Sequence, residues 1–381
     1  MSNYNKTPQF SVARSARETI GREVHFVKGV TGNNRNGEAA HVRLRNGDIL
    51  CAYSQFLSGD DWSDHAASRI AGFLSHDEGE TWSEAFPLIE LSEGQASLMC
   101  ASLLRLADGD VALLYGAYLE GNRAFQMYFR RSADEGKTWG EAVPLLREED
   151  LYAACYCLEN DRLIELSSGR LLTAAGFLPA EAIGKNQCTG ITALYSDDGG
   201  ATWVNTHADL WLPFPSTFGL QEPGIIALPD GRLRMWARTH LGCQYESYSS
   251  DEGLTWSAPA PMEFFKSPLS PMLMKHVGDM TVAVYNPEPT HYLTQKPEKY
   301  VKKDVDFFHD RTPLALAVST DGGLTFARPF LLEEDPLSIY CYPAIFDGGD
   351  YILVSYYHSN RTDNFFQSYK TVKIEKAALK A

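Results

Sequence analysis

The residues in this chain best suited to chemistry are carboxylates, arginines and one tyrosine that flank its apolar runs. Glu38 and Glu222 lie on apolar stretches, Asp64 lies in a polar loop, and Asp161-Arg162 form an adjacent pair. Arg238 follows an apolar run, Arg311 opens one, and Tyr342 opens the last. Carboxyl groups move protons in catalysis. Guanidinium forks bind carboxylates in two-pronged fashion. A phenol, with an ordinary pKa of about 10, becomes a nucleophile only when a base takes its proton. Glu222 precedes Pro223 on an apolar strand, where an acid without a partner is costly.

Such scattered residues act together only if the fold gathers them, and a repeated motif supplies the frame. The pattern S-x-D-x-G-x-T-[WF] occurs at Ser75–Trp82, Ser132–Trp139, Ser196–Trp203, Ser249–Trp256 and Ser319–Phe326, with gaps of 57, 64, 53 and 70 residues between successive aspartates. A unit recurring at that interval is the mark of a repeat architecture. Asp, Gly and Ser build turns, and the terminal Trp or Phe anchors the turn on apolar neighbours. A structural turn, not a ligand site, is therefore expected at each box.

Between the boxes a second unit recurs, apolar run, polar–Gly turn, apolar run, as in Leu44–Leu50, Leu106–Val111, Leu166–Leu171 and Leu228–Leu233, and more loosely in Phe346–Tyr351. These are hairpin signals. One hairpin and one boxed hairpin make four strands, the size of a propeller blade. Five boxed blades and a last sheet from Tyr340 to about Val372 predict an all-β, six-bladed β-propeller of four-stranded antiparallel blades, one domain over residues 1–381. The stretch before Arg35 is expected to supply the strand that closes the ring. In a propeller the innermost strands converge on the axis, so functional side chains should meet at one mouth of that channel.

With the frame in place, the chain resembles the sialidase family of Asp-box glycosidases over nearly its full length. Gln221-Glu222-Pro223-Gly224, the turn Leu228–Arg232 and Arg238 are similar to the segment holding a Glu and one arginine of the family's triad. Asn286-Pro287 followed, after a long insert, by Arg311-Thr312-Pro313-Leu314 is similar to the segment of another triad arginine. Tyr340–Ile345 resembles the stretch with the tyrosine nucleophile, and Gly59–His65 the loop with the acid/base aspartate. The resemblance implies Asp64 as acid/base, with Asp61 as fallback, and Tyr342 with Glu222 as nucleophile pair. Arg238, Arg311 and Arg162, with Asp161 and His65, would contact the sugar. It departs in blade one, where the family's first triad arginine faces Asn36-Gly37-Glu38-Ala39-Ala40-His41 in this chain. Glu38 there would repel an anionic sugar, and Arg162 could restore a cation from another blade. That segment, Asn160–Arg162 and Arg311–Leu314 look more like a sialidase-like bacterial subgroup.

The expected function is thus hydrolysis of a terminal sugar, acidic in one version, by a retaining reaction through Tyr342 and Glu222 with Asp64 as acid/base. A variant pairs Glu38 with Asp64 as two ordinary carboxylates. A uronate lyase and a non-catalytic sugar-binding propeller stay open. The net charge of −15 argues against nucleic acid or anionic membrane as partner. No apolar run is long enough to span a bilayer, and Met1–Lys6 lacks a signal-peptide core. Seven scattered cysteines read as reduced core thiols of a cytoplasmic protein. No histidine or cysteine spacing points to a metal, no cofactor is expected, and oligomeric state is not legible. The aromatic-rich insert 290–310 is long enough to have a function of its own.

Overall fold

The computed structural model describes residues 19–57, 59, 61, 63–121, 124–182, 189–287, 311–327, 329–335, 338–360 and 368–380. The insert 290–310 and the N-terminal residues 1–18 lie outside them. Six antiparallel sheets form a six-bladed propeller. Blade one contains β2 (Arg35–Arg43), β3 (Ile49–Phe56), β4 (Ser68–Ser75) and β5 (Phe86–Ile89). Blade two opens with β6 (Gln95–Arg105) and β7 (Val111–Leu119), and blade four with β15 (Gln221–Ala227) and β16 (Leu233–Arg238). Blade five opens with β19 (Leu273–Val277). In blade three the inner strand is split into β10 (Ala154–Cys157) and β11 (Ile164–Glu165), so five strands replace the expected four.

The ring closes as expected. β1 (Arg22–Val27) forms the outer strand of blade six, pairing antiparallel with β25 (Ser368–Glu375) beside β24 (Tyr351–Asn360) and the inner strand β23 (Ser338–Asp347). Because each sheet is covered by its neighbours on both faces, central strands need not alternate apolar and polar. Every residue of β3 is buried. The core lies between blades, as in the cluster joining Val42, Leu50 and Ile70 of blade one to Leu98, Leu103 and Leu113 of blade two.

The five boxes are closed turns. In the third, Ser196 Oγ donates to Asp198 Oδ1 at 2.8 Å and accepts from Gly200 N at 2.8 Å, while Asp198 accepts from the Thr202 amide and hydroxyl at 2.9 and 2.6 Å. The other four repeat this pattern. Four of the five box glycines also press on the preceding blade. Gly79 meets Leu353, Gly136 meets Leu50, Gly200 meets Phe129, and Gly253 meets Leu172. At Gly200, where φ is +92°, a Cβ would lie 2.0 Å from the Phe129 ring. The boxes therefore clamp blade to blade, and register places them at one rim. Ser75 pairs with Ile49, which pairs with Arg43 at the far end of β2 from Arg35. At about 3.3 Å per residue, the two ends of β2 are roughly 25 Å apart.

The axis is tied by Asn160-Asp161 of blade three. Asn160 Nδ2 donates to Ala39 O of blade one at 2.8 Å and to Pro343 O of blade six at 3.2 Å. Asp161 N donates to Ala101 O of blade two at 3.0 Å. Its carboxylate accepts from Ile345 N of blade six at 3.0 Å and from Lys275 Nζ of blade five at 2.6 Å. Asp161 was expected to contact substrate, but its oxygens are spent inside the fold. Asp161→Ala strips a buried donor and a cation of their partner and should cost about 3 kcal/mol of stability. Chemical denaturation measures it, and an unchanged midpoint would refute the tie.

Candidate active site

Four inner strands carry a bulge where one residue is inserted against the neighbouring strand, between Gly37 and Ala40, Met99 and Ser102, Gln221 and Gly224, and Cys341 and Ala344. At each, a non-glycine residue adopts positive φ: Glu38 (54°), Cys100 (62°), Glu222 (47°) and Tyr342 (54°). Asp161 (57°) does the same in the break of blade three. A left-handed residue in a bulge re-aims its side chain, and here the side chains of Glu38, Cys100, Glu222 and Tyr342 all reach one cavity on the axis. Its wall also includes Arg35, Asp64, Met99, Tyr118, Phe125, Cys157, Leu158 and Glu159. Arg35 begins β2 and Tyr118 lies near the end of β7, so the mouth is at the rim opposite the boxes.

Two linked groups face each other across it. On one side the Tyr342 hydroxyl donates to Glu222 Oε1 at 3.2 Å, and Glu222 Oε2 meets Arg238 Nη1 at 2.6 Å. The Arg311 guanidinium stands 5.3 Å from the centre of the Tyr342 ring. Burial, then the Glu222 charge, push the Tyr342 phenol well above its ordinary pKa, with Arg311 and Arg238 pulling the other way. On the other side Arg35 donates to Asp64 Oδ1 at 2.7 Å, Glu38 Oε1 at 2.9 Å and the Tyr357 hydroxyl at 3.1 Å. Glu38 is buried and also accepts from Ser54 Oγ at 3.0 Å, whereas the Asp64 side chain is 51% exposed. Burial raises the Glu38 pKa and outweighs Arg35. Glu159, between the two groups and 2% exposed, is pushed well up by burial and by the Glu222 charge.

A model of the BNR repeat-like domain matches residues 73–355. The chain belongs to that family. With its fold, it is a sialidase-like protein of the BNR-repeat superfamily. Similar solved structures include a Dyadobacter fermentans protein of unknown function, 19% identical, with 93% of this chain and 99% of that one covered at a TM-score of 0.67. The leech intramolecular trans-sialidase bound to 2,7-anhydro-Neu5Ac is 15% identical, covering 95% and 71%, at 0.67. The Ruminococcus gnavus intramolecular trans-sialidase is 13% identical, covering 95% and 98%, at 0.68. At these identities the likeness speaks for the fold. Among curated proteins, the anhydrosialidase of Macrobdella decora is 36% identical over 70 residues, which are 18% of this chain and 9% of that protein.

Within this BNR-repeat propeller, Asp64, Glu38, Glu222 and Tyr342 share the cavity wall. Arg238 and Arg311 stand behind Glu222 and Tyr342. Arg162 is not among the residues of the cavity wall. It is buried with its guanidinium 5.1 Å from the Trp236 ring, and its Nε and Nη1 have no hydrogen-bond partner among the described residues. His65 packs on Tyr118 at 4.2 Å, outside the wall. Blade one does place a cation in the wall, Arg35, one residue ahead of Asn36. No turn or motif in the sequence marks it, and none marks Glu159. The raised pKa of Glu159 means the folded protein binds the proton more tightly, so this stability is full below the unfolded pKa of about 4.3 and is lost as pH rises. Glu159→Gln should therefore stabilise the protein at pH 8 and lose that advantage towards pH 4, as denaturant midpoints at both pH values would show. A variant less stable at pH 8 contradicts it.

Proposed function

We propose that this protein is a glycoside hydrolase that removes a terminal sugar with retention, using Tyr342 and Glu222 as nucleophile pair and Asp64 as acid/base. The observation that carries the reading is the hydroxyl of Tyr342 donating to Glu222 at a cavity wall. A buried phenol stays protonated until attack, and Glu222 is placed to take the proton as the tyrosine oxygen bonds to the anomeric carbon. Arg311, beside the ring, favours the negative charge that develops on the oxygen.

As that bond forms, the bond from the anomeric carbon to the leaving oxygen breaks, and the leaving oxygen takes the Asp64 proton. Water then gives a proton to Asp64 and attacks the same carbon, and the tyrosine oxygen departs with the proton held by Glu222. Asp64 lines the cavity with its side chain 51% exposed, which puts it within reach of both the leaving oxygen and the attacking water. The version that pairs Glu38 with Asp64 has less support, because the Glu38 oxygens are held by Arg35 and Ser54.

A glycosyl fluoride bearing a second fluorine beside the anomeric carbon should label Tyr342, as peptide mass spectrometry would reveal. Tyr342→Phe should lower kcat at least about 100-fold, and Asp64→Ala should harm alkyl glycosides far more than aryl ones with good leaving groups. A label on a carboxylate, or an inverted product by NMR, would overturn the tyrosine mechanism.

A further inference from the structure

We infer that the sugar seated in the axial cavity is uncharged, an inference that rests on the glycosidase reading of that cavity. The guanidinium in the cavity wall and the one behind Glu222 are already in ion pairs. Arg35 spends Nη1 on Asp64, Nη2 on Glu38 and Nε on the Tyr357 hydroxyl. Arg238 spends Nη1 on Glu222, and Nε and Nη2 on Gln221 Oε1. Of the twelve wall residues one is a guanidinium, Arg35, and four are carboxyls, Glu38, Asp64, Glu159 and Glu222. Arg162 and Arg311 are not in the wall.

A substrate carboxylate could reach Arg35 only by displacing one of its two acids. Displacing Glu38 would strand a carboxylate whose side chain is 2% exposed and remove its only ion-pair partner among the described residues. Displacing Asp64 would trade an acid at the mouth for an anion pressed toward Glu38, the other acid on Arg35, and like charges at such range repel. A neutral ring meets neither penalty. Its hydroxyls donate to carboxyl oxygens, and its C–H faces lie against Met99, Phe125 and Leu158.

The test uses matched pairs differing only in oxidation of C6, glucose against glucuronate and galactose against galacturonate as methyl glycosides, with N-acetylneuraminate alongside, titrated calorimetrically into the full chain. At least one neutral glycoside should bind about tenfold tighter than its uronate, and N-acetylneuraminate should be weaker than that neutral ligand. Glu38→Gln, which releases part of Arg35, should shrink the ratio at least about threefold. A wild-type protein that binds a uronate or N-acetylneuraminate as tightly as any neutral sugar overturns the inference, and needs no folded variant to do so. So does a Glu38→Gln protein that is folded by circular dichroism and keeps the ratio. Neutral binding with no turnover of any aryl glycoside defeats the hydrolase reading while the preference stands, and binding of no sugar at all defeats both.

Discussion

A ring of sheets has no central element of its own, so what fills the axis decides whether six inner strands can meet at all. Here one dipeptide carries much of that burden. Asn160 and Asp161 reach backbone or side-chain atoms of blades one, two, five and six. Two polar side chains in so dry a place are tolerable because the Asn160 amide donates twice and both Asp161 oxygens accept within the fold. Burial still raises the Asp161 pKa despite Lys275 at 2.6 Å, as expected where desolvation outweighs an ion pair. The tie gives the axis a defined arrangement more than it adds net stability.

The cavity exists because this tie leaves one end of the axis open and the inner strands bulge there. A left-handed non-glycine residue costs roughly 1–2 kcal/mol, so Glu38, Cys100, Glu222 and Tyr342 together represent a real strain. At the cavity this strain turns inward side chains that a regular strand would bury between blades, whereas the left-handed Glu78, Glu135 and Glu252 serve the box turns. The opposite rim does the complementary task. Box turns there lock neighbouring blades through glycine contacts and internal hydrogen bonds, and none of their side chains is in the cavity wall. Clamping and chemistry thus occupy opposite ends of the same strands, roughly 25 Å apart, which lets loops at the mouth vary without loosening the ring.

That separation also explains what could be read from the sequence. Boxes and Asx–Gly hairpins are local, since Ser196, Asp198, Gly200 and Thr202 bond to one another within seven residues, so blade number and the closing strand were legible. Glu222, Tyr342 and Asp64 were legible because their segments resemble known ones. Arg35 is not marked in the sequence, because it precedes the Asn36–His41 segment and no motif sets it apart from a strand-end arginine. Glu159 and the tying role of Asp161 were invisible for a different reason. Their partners in other blades, Ala101, Glu222, Lys275 and Ile345, lie 60 or more residues away in sequence, and no local pattern encodes a partner at that distance.

The carboxylates beside the guanidinium groups change how this cavity can recognise anything. A site that draws in an anion keeps donors free and gains from the charge it neutralises. Arg35 and Arg238 instead begin in ion pairs, so an anionic ligand must exchange with acids already in place, and the exchange is close to neutral at best. Selectivity then falls to shape and to hydroxyl positions, where each misplaced donor leaves a buried carboxyl oxygen unmet. Glu38 is central to that balance, because its left-handed bulge puts it three residues from Arg35 and within 2.9 Å of it. Removing its charge alone would convert the blade-one arginine from an internal partner into a donor facing the ligand. One residue, therefore, sets whether the same propeller mouth favours charge or refuses it.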